Sequence, residues 1–156
     1  YGLMFCPDAA RALDEAYRVL TPHGRLALVV WDLPERSPYF SVITRVAMRQ
    51  LGFQPPDPGA PGPFRFAAPA ALESLLGVAG FSDVRVESCP AALECASADQ
   101  YIQMFGDLAW KARISGLSTG ERVRFAKEVN EAVQPYFTEG RLRLVATSLC
   151  ASGVKP

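Results

Sequence analysis

The chain has 156 residues, enough for a single domain (residues 1–156) with a substantial core. Its composition is that of an ordinary globular protein, with 49% apolar and 21% charged residues. Sixteen basic residues balance sixteen acidic ones, so no net field attracts nucleic acid or an anionic membrane. No apolar run reaches the roughly 20 residues of a spanning helix, and no secretory signal pattern appears. We expect a cytoplasmic protein that binds neither nucleic acid nor membranes.

The four cysteines show no spacing typical of metal binding. Cys89 and Cys95, for example, are too far apart for a C-x-x-C motif. We therefore expect buried thiols in a reducing compartment and no metal site.

The segment up to Asp32 predicts a helix, a turn and a strand. Asp8 can cap the start of the helix, and residues 21–24, which include His23, end it. The apolar stripe of this helix consists of Leu13, Ala16, Tyr17 and Leu20. Leu26–Trp31 is six consecutive apolar residues, as expected of a parallel strand covered on both faces.

Two helices and a loop fill the middle of the chain. A helical pattern runs from Tyr39 to about Leu51, and a second covers Pro69–Ala79 and ends at Gly80. The face expected to be buried on the first helix is Phe40, Ile43, Ala47 and Leu51. Between them, Gln54–Pro63 holds five prolines and two glycines in ten residues, which predicts an irregular loop.

Strands and helices also alternate in the second half. Phe81–Glu87 alternates as a strand, and Ala91–Cys95 continues it beyond a break at Pro90. Arg141–Ala151 predicts a final strand. A helix capped by Ser97 or Asp99 carries Tyr101, Ile102, Phe105 and Leu108. A capping box of Ser118 and Glu121 begins the next helix, on which Val123, Ala126, Lys127, Asn130 and Val133 follow.

Four segments resemble, in order, the late part of class I S-adenosylmethionine-dependent methyltransferases, in the type 11 branch that is similar to the ubiquinone and menaquinone biosynthesis enzymes. They are the apolar Gly2–Asp8 segment with its Pro-Asp helix start, the R-V-L-x-P-x-G turn of residues 18–24, the strand end at Trp31, and the A-G-F-x-x-V element within Gly77–Val86. One departure is His23, where the family usually has glycine, which tolerates a positive φ.

The resemblance implies an α/β fold with a partial Rossmann-like sheet of about three strands. Their order is five, seven, six, the last strand is antiparallel, and helices flank the sheet. In the intact protein it implies transfer of a methyl group from S-adenosylmethionine to a small organic acceptor. The family's Gly-rich cofactor loop and its N-terminal strands have no match, since Gly59–Gly62 lies in a Pro-rich loop and Gly77–Gly80 ends a helix. We therefore expect the C-terminal half of an enzyme that binds no cofactor and is inactive by itself.

The resemblance also suggests which residues would line a site. Tyr1, Gly2, Leu3 and Met4 would lie near the transferable methyl group once the other half is present. The acceptor pocket would be walled by Trp31, Tyr39, Phe40, Tyr101, Met104 and Phe105. Packing in the core is the alternative role for all of these aromatic and Met side chains. No catalytic residue and no metal ligand is identified.

The unpaired apolar edge of Leu26–Trp31 predicts a homodimer or a swapped oligomer that covers it. Two other functions stay open. One is a non-catalytic module that binds a hydrophobic small molecule in a pocket formed by Trp31, Phe40, Phe64, Phe66 and Tyr101. The other is an oligomerising gene fragment with no ligand.

Overall fold

The computed structural model describes residues 1–52, 54, 57, 59–107 and 114–156. The helices are α1 (Ala9–Val19), α2 (Pro38–Leu51), α3 (Pro69–Val78), α4 (Ala98–Phe105) and α5 (Thr119–Val133). The strands are β1 (Arg25–Trp31), β2 (Ser82–Cys95), β3 (Phe137–Thr138) and β4 (Arg141–Val154). Part of the Gln54–Pro63 loop and Leu108 lie outside the described residues.

Local signals place the ends of helix α1 as predicted. The Asp8 carboxylate accepts a hydrogen bond of 2.9 Å from the Arg11 N–H, which caps the first turn. At the other end, His23 takes a φ of 63°, the left-handed conformation that glycine adopts at no steric cost. The turn at residues 21–24 is therefore retained with a histidine in the position usually held by glycine.

The order of the strands in the sheet is β1-β4-β2, with the short β3 paired to β4. Strands β1 and β4 run antiparallel, in a register from Arg25 opposite Val154 to Trp31 opposite Ser148. Because β1, β2 and β4 correspond to the expected strands five, six and seven, the predicted order five, seven, six is confirmed. The described chain has an α/β fold, a partial Rossmann-like sheet flanked by helices.

Strand β1 lies at one end of the described sheet and is covered less than predicted. Val30 is wholly buried, Leu28 is half-buried and Ala27 is exposed. Val30 packs into a cluster with Leu13 of α1 and Leu72 of α3. The prediction of a strand covered on both faces is therefore wrong for the described residues, because these helices bury the side of β1 that carries Val30.

Strand β2 passes through Pro90 without the predicted break. Proline has no N–H to donate to a neighbouring strand, so it is tolerated where a strand has no partner on one side. Strand β2 occupies such a position at the end of the β1-β4-β2 order. The two predicted extended segments, Phe81–Glu87 and Ala91–Cys95, are therefore parts of one strand.

The predicted buried face of α2 differs in part from the observed one. The buried residues of α2 are Tyr39, Val42, Ile43, Val46 and Ala47. Ile43 and Ala47 are therefore buried as predicted, whereas Phe40 and Leu51 are only half-buried. Helix α2 carries apolar residues on more than one face, so spacing alone did not select the face that packs. The buried residues of α5 are Phe125, Val129 and Val133.

The chain divides into two compact units. The first consists of residues 1–36, 56–91 and 147–156, and the second of residues 37–55 and 92–146. Whether they fold as the single domain expected for residues 1–156 stays a prediction. The core of the first unit is built from Met4, Leu13, Val30, Leu72, Leu76, Phe81, Leu149 and Ala151. In the second unit, α5 packs against α2 and α4.

Lys155 ties the C-terminal end of the chain to the end of α1. Its Nζ donates hydrogen bonds of 2.8 Å to the carbonyls of Tyr17 and Leu20, and it lies 4.7 Å from the centre of the Tyr17 ring. The carbonyls at a helix C-terminus lack partners within the helix and carry partial negative charge. The ammonium group therefore satisfies two acceptors and interacts with the helix dipole.

Substitution Lys155→Met should lower the free energy of unfolding by about 1–2 kcal/mol, because it removes two charge-assisted hydrogen bonds at a helix end. Urea denaturation measures this change. Lys127→Met on α5 is the control, since that side chain is 76% exposed. Equal effects of the two substitutions would contradict the capping role of Lys155.

Candidate functional site

A buried carboxylate follows strand β1. Asp32 has no exposed surface. Its Oδ1 accepts a hydrogen bond of 2.7 Å from the Leu33 N–H, and its Oδ2 accepts one of 3.1 Å from the Ser88 hydroxyl. The Arg36 guanidinium lies 3.4 Å from the same Oδ2. Buried carboxylates are stable only when paired and hydrogen-bonded in this way.

The backbone around Asp32 is held by strand β4. The Asp32 N–H donates to the Thr147 carbonyl at 2.9 Å, and the Thr147 hydroxyl donates to the Arg36 carbonyl at 2.6 Å. Hydrogen bonds to Thr147 thus hold the loop that follows β1 at both Asp32 and Arg36. Open α/β sheets bind ligands outside the carboxyl ends of their strands, and this loop leaves such an end.

A pair of aromatic side chains lies beside these polar groups at the end of β1. The rings of Tyr1 and Trp31 stack with their centroids 4.4 Å apart. The Tyr1 hydroxyl shares a hydrogen bond of 2.7 Å with the Ser148 hydroxyl. Tyr1 is 56% exposed, so this pair presents aromatic surface to solvent. We refer to Tyr1, Trp31, Asp32, Ser88 and Ser148 as the β1-end cluster.

The residues expected near the transferable methyl group lie in different environments. Tyr1 and Gly2 are exposed, Leu3 is half-buried, and Met4 is wholly buried in the core of the first unit. The Met4 carbonyl accepts a hydrogen bond of 3.0 Å from the Gly62 N–H. The Met4 side chain thus has a packing role here. A contact of this segment with a cofactor stays a prediction.

Four of the six residues expected in the acceptor pocket come together in the second unit. They are Tyr39, Phe40, Tyr101 and Phe105, whose ring centroids lie 5.0–6.3 Å from at least two others. Met104 packs separately, with its sulfur 3.7 Å from the Cys95 thiol. Trp31 belongs to the first unit and stacks on Tyr1. These four aromatic rings thus pack against one another.

This aromatic cluster offers no group suited to accept a proton at neutral pH. The Tyr101 hydroxyl donates to the Tyr39 carbonyl, and burial raises the pKa of Tyr101. Burial, and then the nearby Cys95, raise the pKa of Tyr39, and burial raises the pKa of the Cys95 thiol. All three groups are protonated at pH 7, so each can donate a hydrogen bond but none can act as a general base.

Two cavities in the second unit are lined mainly by polar and charged groups. One of about 260 Å³ is lined by Gln50, Leu51, Glu121, Arg124 and Glu128. The other, of about 320 Å³, is lined by Ser97, Ala98, Asp99, Ala126, Lys127 and Asn130. The Glu128 carboxylate is already hydrogen-bonded by Arg49 and Gln50. Neither lining resembles the apolar pocket expected of a hydrophobic-ligand module.

The described residues do not fit S-adenosylmethionine on their own. A cofactor loop needs glycines between a strand and a helix, where the backbone can approach the ligand. The loop after β1 contains no glycine. Gly80 follows a helix, and a Cβ at this position would lie 3.2 Å from the Tyr17 ring. The absence of a side chain at Gly80 therefore makes room for Tyr17 and not for a ligand. Among the described residues, no group of three or more His, Cys, Asp or Glu could hold a metal ion.

Sequence reasoning missed the polar half of the β1-end cluster. Asp32, Ser88 and Ser148 carry no local motif, and 56 residues separate Asp32 from Ser88. One signal was present: a charged residue that directly follows six apolar residues in a strand needs a partner if it is buried.

None of the helices described in the structure is both long and apolar enough to span a bilayer.

Substitution Asp32→Ala should lower the free energy of unfolding by about 1–3 kcal/mol, because it leaves the Leu33 N–H without its acceptor and removes the charge that faces Arg36. Asp32→Asn retains an oxygen acceptor and should cost less. Chemical denaturation measures both, with Asp14→Ala on the exposed side of α1 as the control. A loss no larger than that of the control would contradict a role of Asp32 in holding the loop.

Comparisons with known proteins identify the fold but not a family. No protein-family model matches the chain, and no curated protein matches it. Among solved structures, 28 chains match. One is the crystal structure of a "putative methyltransferase" from Bacillus halodurans C-125, with 18% identity and a TM-score of 0.53. The match covers 99% of this chain and 66% of that one. The chain therefore has a methyltransferase-like α/β fold and spans about two thirds of the length of this structural neighbour.

Proposed function

We propose that this chain is the acceptor-side, C-terminal part of an S-adenosylmethionine-dependent methyltransferase of the type 11 branch, located in the cytoplasm. The β1-β4-β2 strand order carries the proposal. An antiparallel strand inserted between two others matches the order five, seven, six that the resemblance implies. The similarity of nearly the whole chain to the Bacillus halodurans structure supports the same assignment.

The groups that the chain contains determine whether it could bind the methyl donor or the acceptor. Methyl transfer from a sulfonium donor depends mainly on alignment of the methyl group with the nucleophile. The described residues supply aromatic surface and fixed hydroxyl groups around β1 but no glycine cradle for the donor. The chain by itself should therefore neither bind the donor nor transfer a methyl group. The acceptor is a small organic molecule that meets the chain near the β1-end cluster.

The competing assignment, a module that binds hydrophobic molecules, has less support. It requires Trp31, Phe40, Phe64, Phe66 and Tyr101 to line one apolar pocket. Tyr101 is wholly buried, so its ring has no surface left for a ligand. Phe66 packs against the core of the first unit. Tyr101 and Phe66 therefore have packing roles that do not depend on a ligand.

Calorimetric titration with S-adenosylhomocysteine tests the methyltransferase assignment. The chain alone should give no binding heat. A fusion of this chain to the part of the Bacillus halodurans protein that has no counterpart here should bind. The intact Bacillus halodurans protein is the control for that probe. A fusion that folds by circular dichroism but does not bind would contradict the assignment, whereas binding by the chain alone would contradict inactivity in isolation.

We also propose that a second copy of this chain covers the free edge of β1, in a homodimer or a swapped oligomer. Strand β1 ends the described sheet, and its sequence is apolar throughout apart from Arg25. Edges of this kind pair readily with other strands. Light scattering should give a dimer mass for the natural chain and a monomer mass for Ala27→Lys, since an edge lysine opposes pairing. Ala71→Lys on α3 is the control, and a monomer mass for the unsubstituted chain would contradict the proposal.

A further inference from the structure

The hydrogen bonds at the two ends of β1 show which of its residues face β4. The Lys155 N–H donates to the Gly24 carbonyl, and the Asp32 N–H donates to the Thr147 carbonyl, each at 2.9 Å. Both bonds join residues that continue the register of β1 with β4. In an antiparallel pair every second residue directs its N–H and C=O groups toward the neighbouring strand. The even-numbered residues from 24 to 32 therefore face β4.

The odd-numbered residues of β1 direct their backbone groups toward the free edge of the sheet. Among the described residues, no backbone hydrogen bond outside the β1–β4 ladder reaches Arg25, Ala27 or Val29. Arg25 and Ala27 are exposed, and Val29 is half-buried. Trp31, the next in the series, stacks on Tyr1. Three successive outward-facing residues therefore offer a ladder to one further strand.

This edge is complementary to itself. Two antiparallel copies of β1 centred on Ala27 place Arg25 opposite the partner's Val29 and Ala27 opposite the partner's Ala27. Each hydrogen-bonded pair exchanges two bonds, so the three pairs supply about six. On the other face of the strand, the half-buried Leu26 and Leu28 lie opposite the partner's Leu28 and Leu26. The same pairing therefore satisfies the backbone groups and covers apolar side chains.

The position of the charge on β1 favours the same arrangement. Arg25 is the one charged residue of this strand. In a parallel pairing in register it would lie beside the partner's Arg25, and like charges directly opposite destabilise a sheet. Centring on Ala27 separates the two by four residues, or about 13 Å along the strand, which exceeds the Debye length of about 10 Å at 0.1 M salt.

We propose that two copies of this chain pair their β1 strands antiparallel about a two-fold axis at Ala27, and that each copy thereby supplies Arg25 to the β1-end cluster of its partner. The partner's Arg25 lies opposite Val29, on the face that carries Trp31 and diagonal to it. Diagonal neighbours on antiparallel strands are about 7–8 Å apart, within reach of a long side chain. Its guanidinium can therefore form a cation–π contact with the stacked rings of Tyr1 and Trp31.

The pairing rests on the homodimer of the proposed function and gives that dimer a defined geometry. Within one copy, the Asp32 carboxylate faces the Arg36 guanidinium, so their charges balance. The partner's Arg25 adds a positive charge beside this pair. The β1-end cluster is therefore complete only in the dimer.

Oxidative cross-linking of introduced cysteines tests the pairing. Ala27→Cys should join the two copies at position 27, because residues of a hydrogen-bonded pair have their Cα atoms about 5.5 Å apart, a separation that a disulfide spans. Arg25→Cys and Val29→Cys should not cross-link singly, but a mixture of the two should. The natural chain, oxidised in the same way, is the control for its own four cysteines, and peptide mapping identifies the joined positions.

Light scattering of the reduced proteins separates two kinds of failure. A monomer mass for the natural chain would overturn both the homodimer and the pairing. A dimer in which Ala27→Cys stays unlinked, or links only to Val29→Cys, would overturn the pairing at Ala27 and leave the homodimer intact. If Ala27→Cys proved unfolded by circular dichroism, the mixture of Arg25→Cys with Val29→Cys would still decide.

Sedimentation equilibrium tests the contribution of Arg25. Arg25→Met should raise the dimer dissociation constant about five- to thirtyfold, because the symmetric dimer loses two cation–π contacts. The same substitution should have a smaller effect when combined with Trp31→Leu. Arg143→Met, at an exposed position of β4, is the control and should leave the constant unchanged. Equal effects of Arg25→Met with and without Trp31 would overturn its contribution to the cluster.

Discussion

The antiparallel pairing of β1 with β4 is the constraint on which the rest of the first unit depends. It joins Arg25–Trp31 to residues more than 100 positions away, from Ser148 to Val154. The two strands contribute Val30, Leu149 and Ala151 to one buried cluster, so the pairing of β1 with β4 also buries part of the core. The same pairing leaves the other edge of β1 at the end of the described sheet.

That pairing also determines the chemistry at the end of β1. Strand β4 brings Thr147 and Ser148 beside the loop that follows Trp31, and β2 brings Ser88 to the Asp32 carboxylate. The result is a fixed set of hydroxyl groups around a buried charge and a stacked aromatic pair. Such a set can position a polar molecule, but it contains no cradle for a methyl donor. The proposed function accordingly assigns these groups a role in positioning an acceptor.

The aromatic residues of the second unit illustrate the limit of inference from family resemblance. Tyr39, Phe40, Tyr101 and Phe105 are adjacent, as a pocket wall requires, but their rings pack against one another, and Tyr101 uses its hydroxyl within the protein. Aromatic residues at helical spacing look the same in a sequence whether they line a pocket or fill a core. The difference lies in whether other side chains occupy the space between them.

The sequence by itself determined the features whose causes lie within a few residues. Asp8 caps its own helix, Ser118 and Glu121 form their capping box, and His23 takes the positive φ of its turn, because each involves neighbours within about four positions. The family resemblance added the strand order. Only the tertiary structure decided which faces are buried, that β2 continues through Pro90, and that Asp32 is buried and partnered. Those outcomes depend on contacts between residues that are distant in the chain, and local spacing carries no information about such partners.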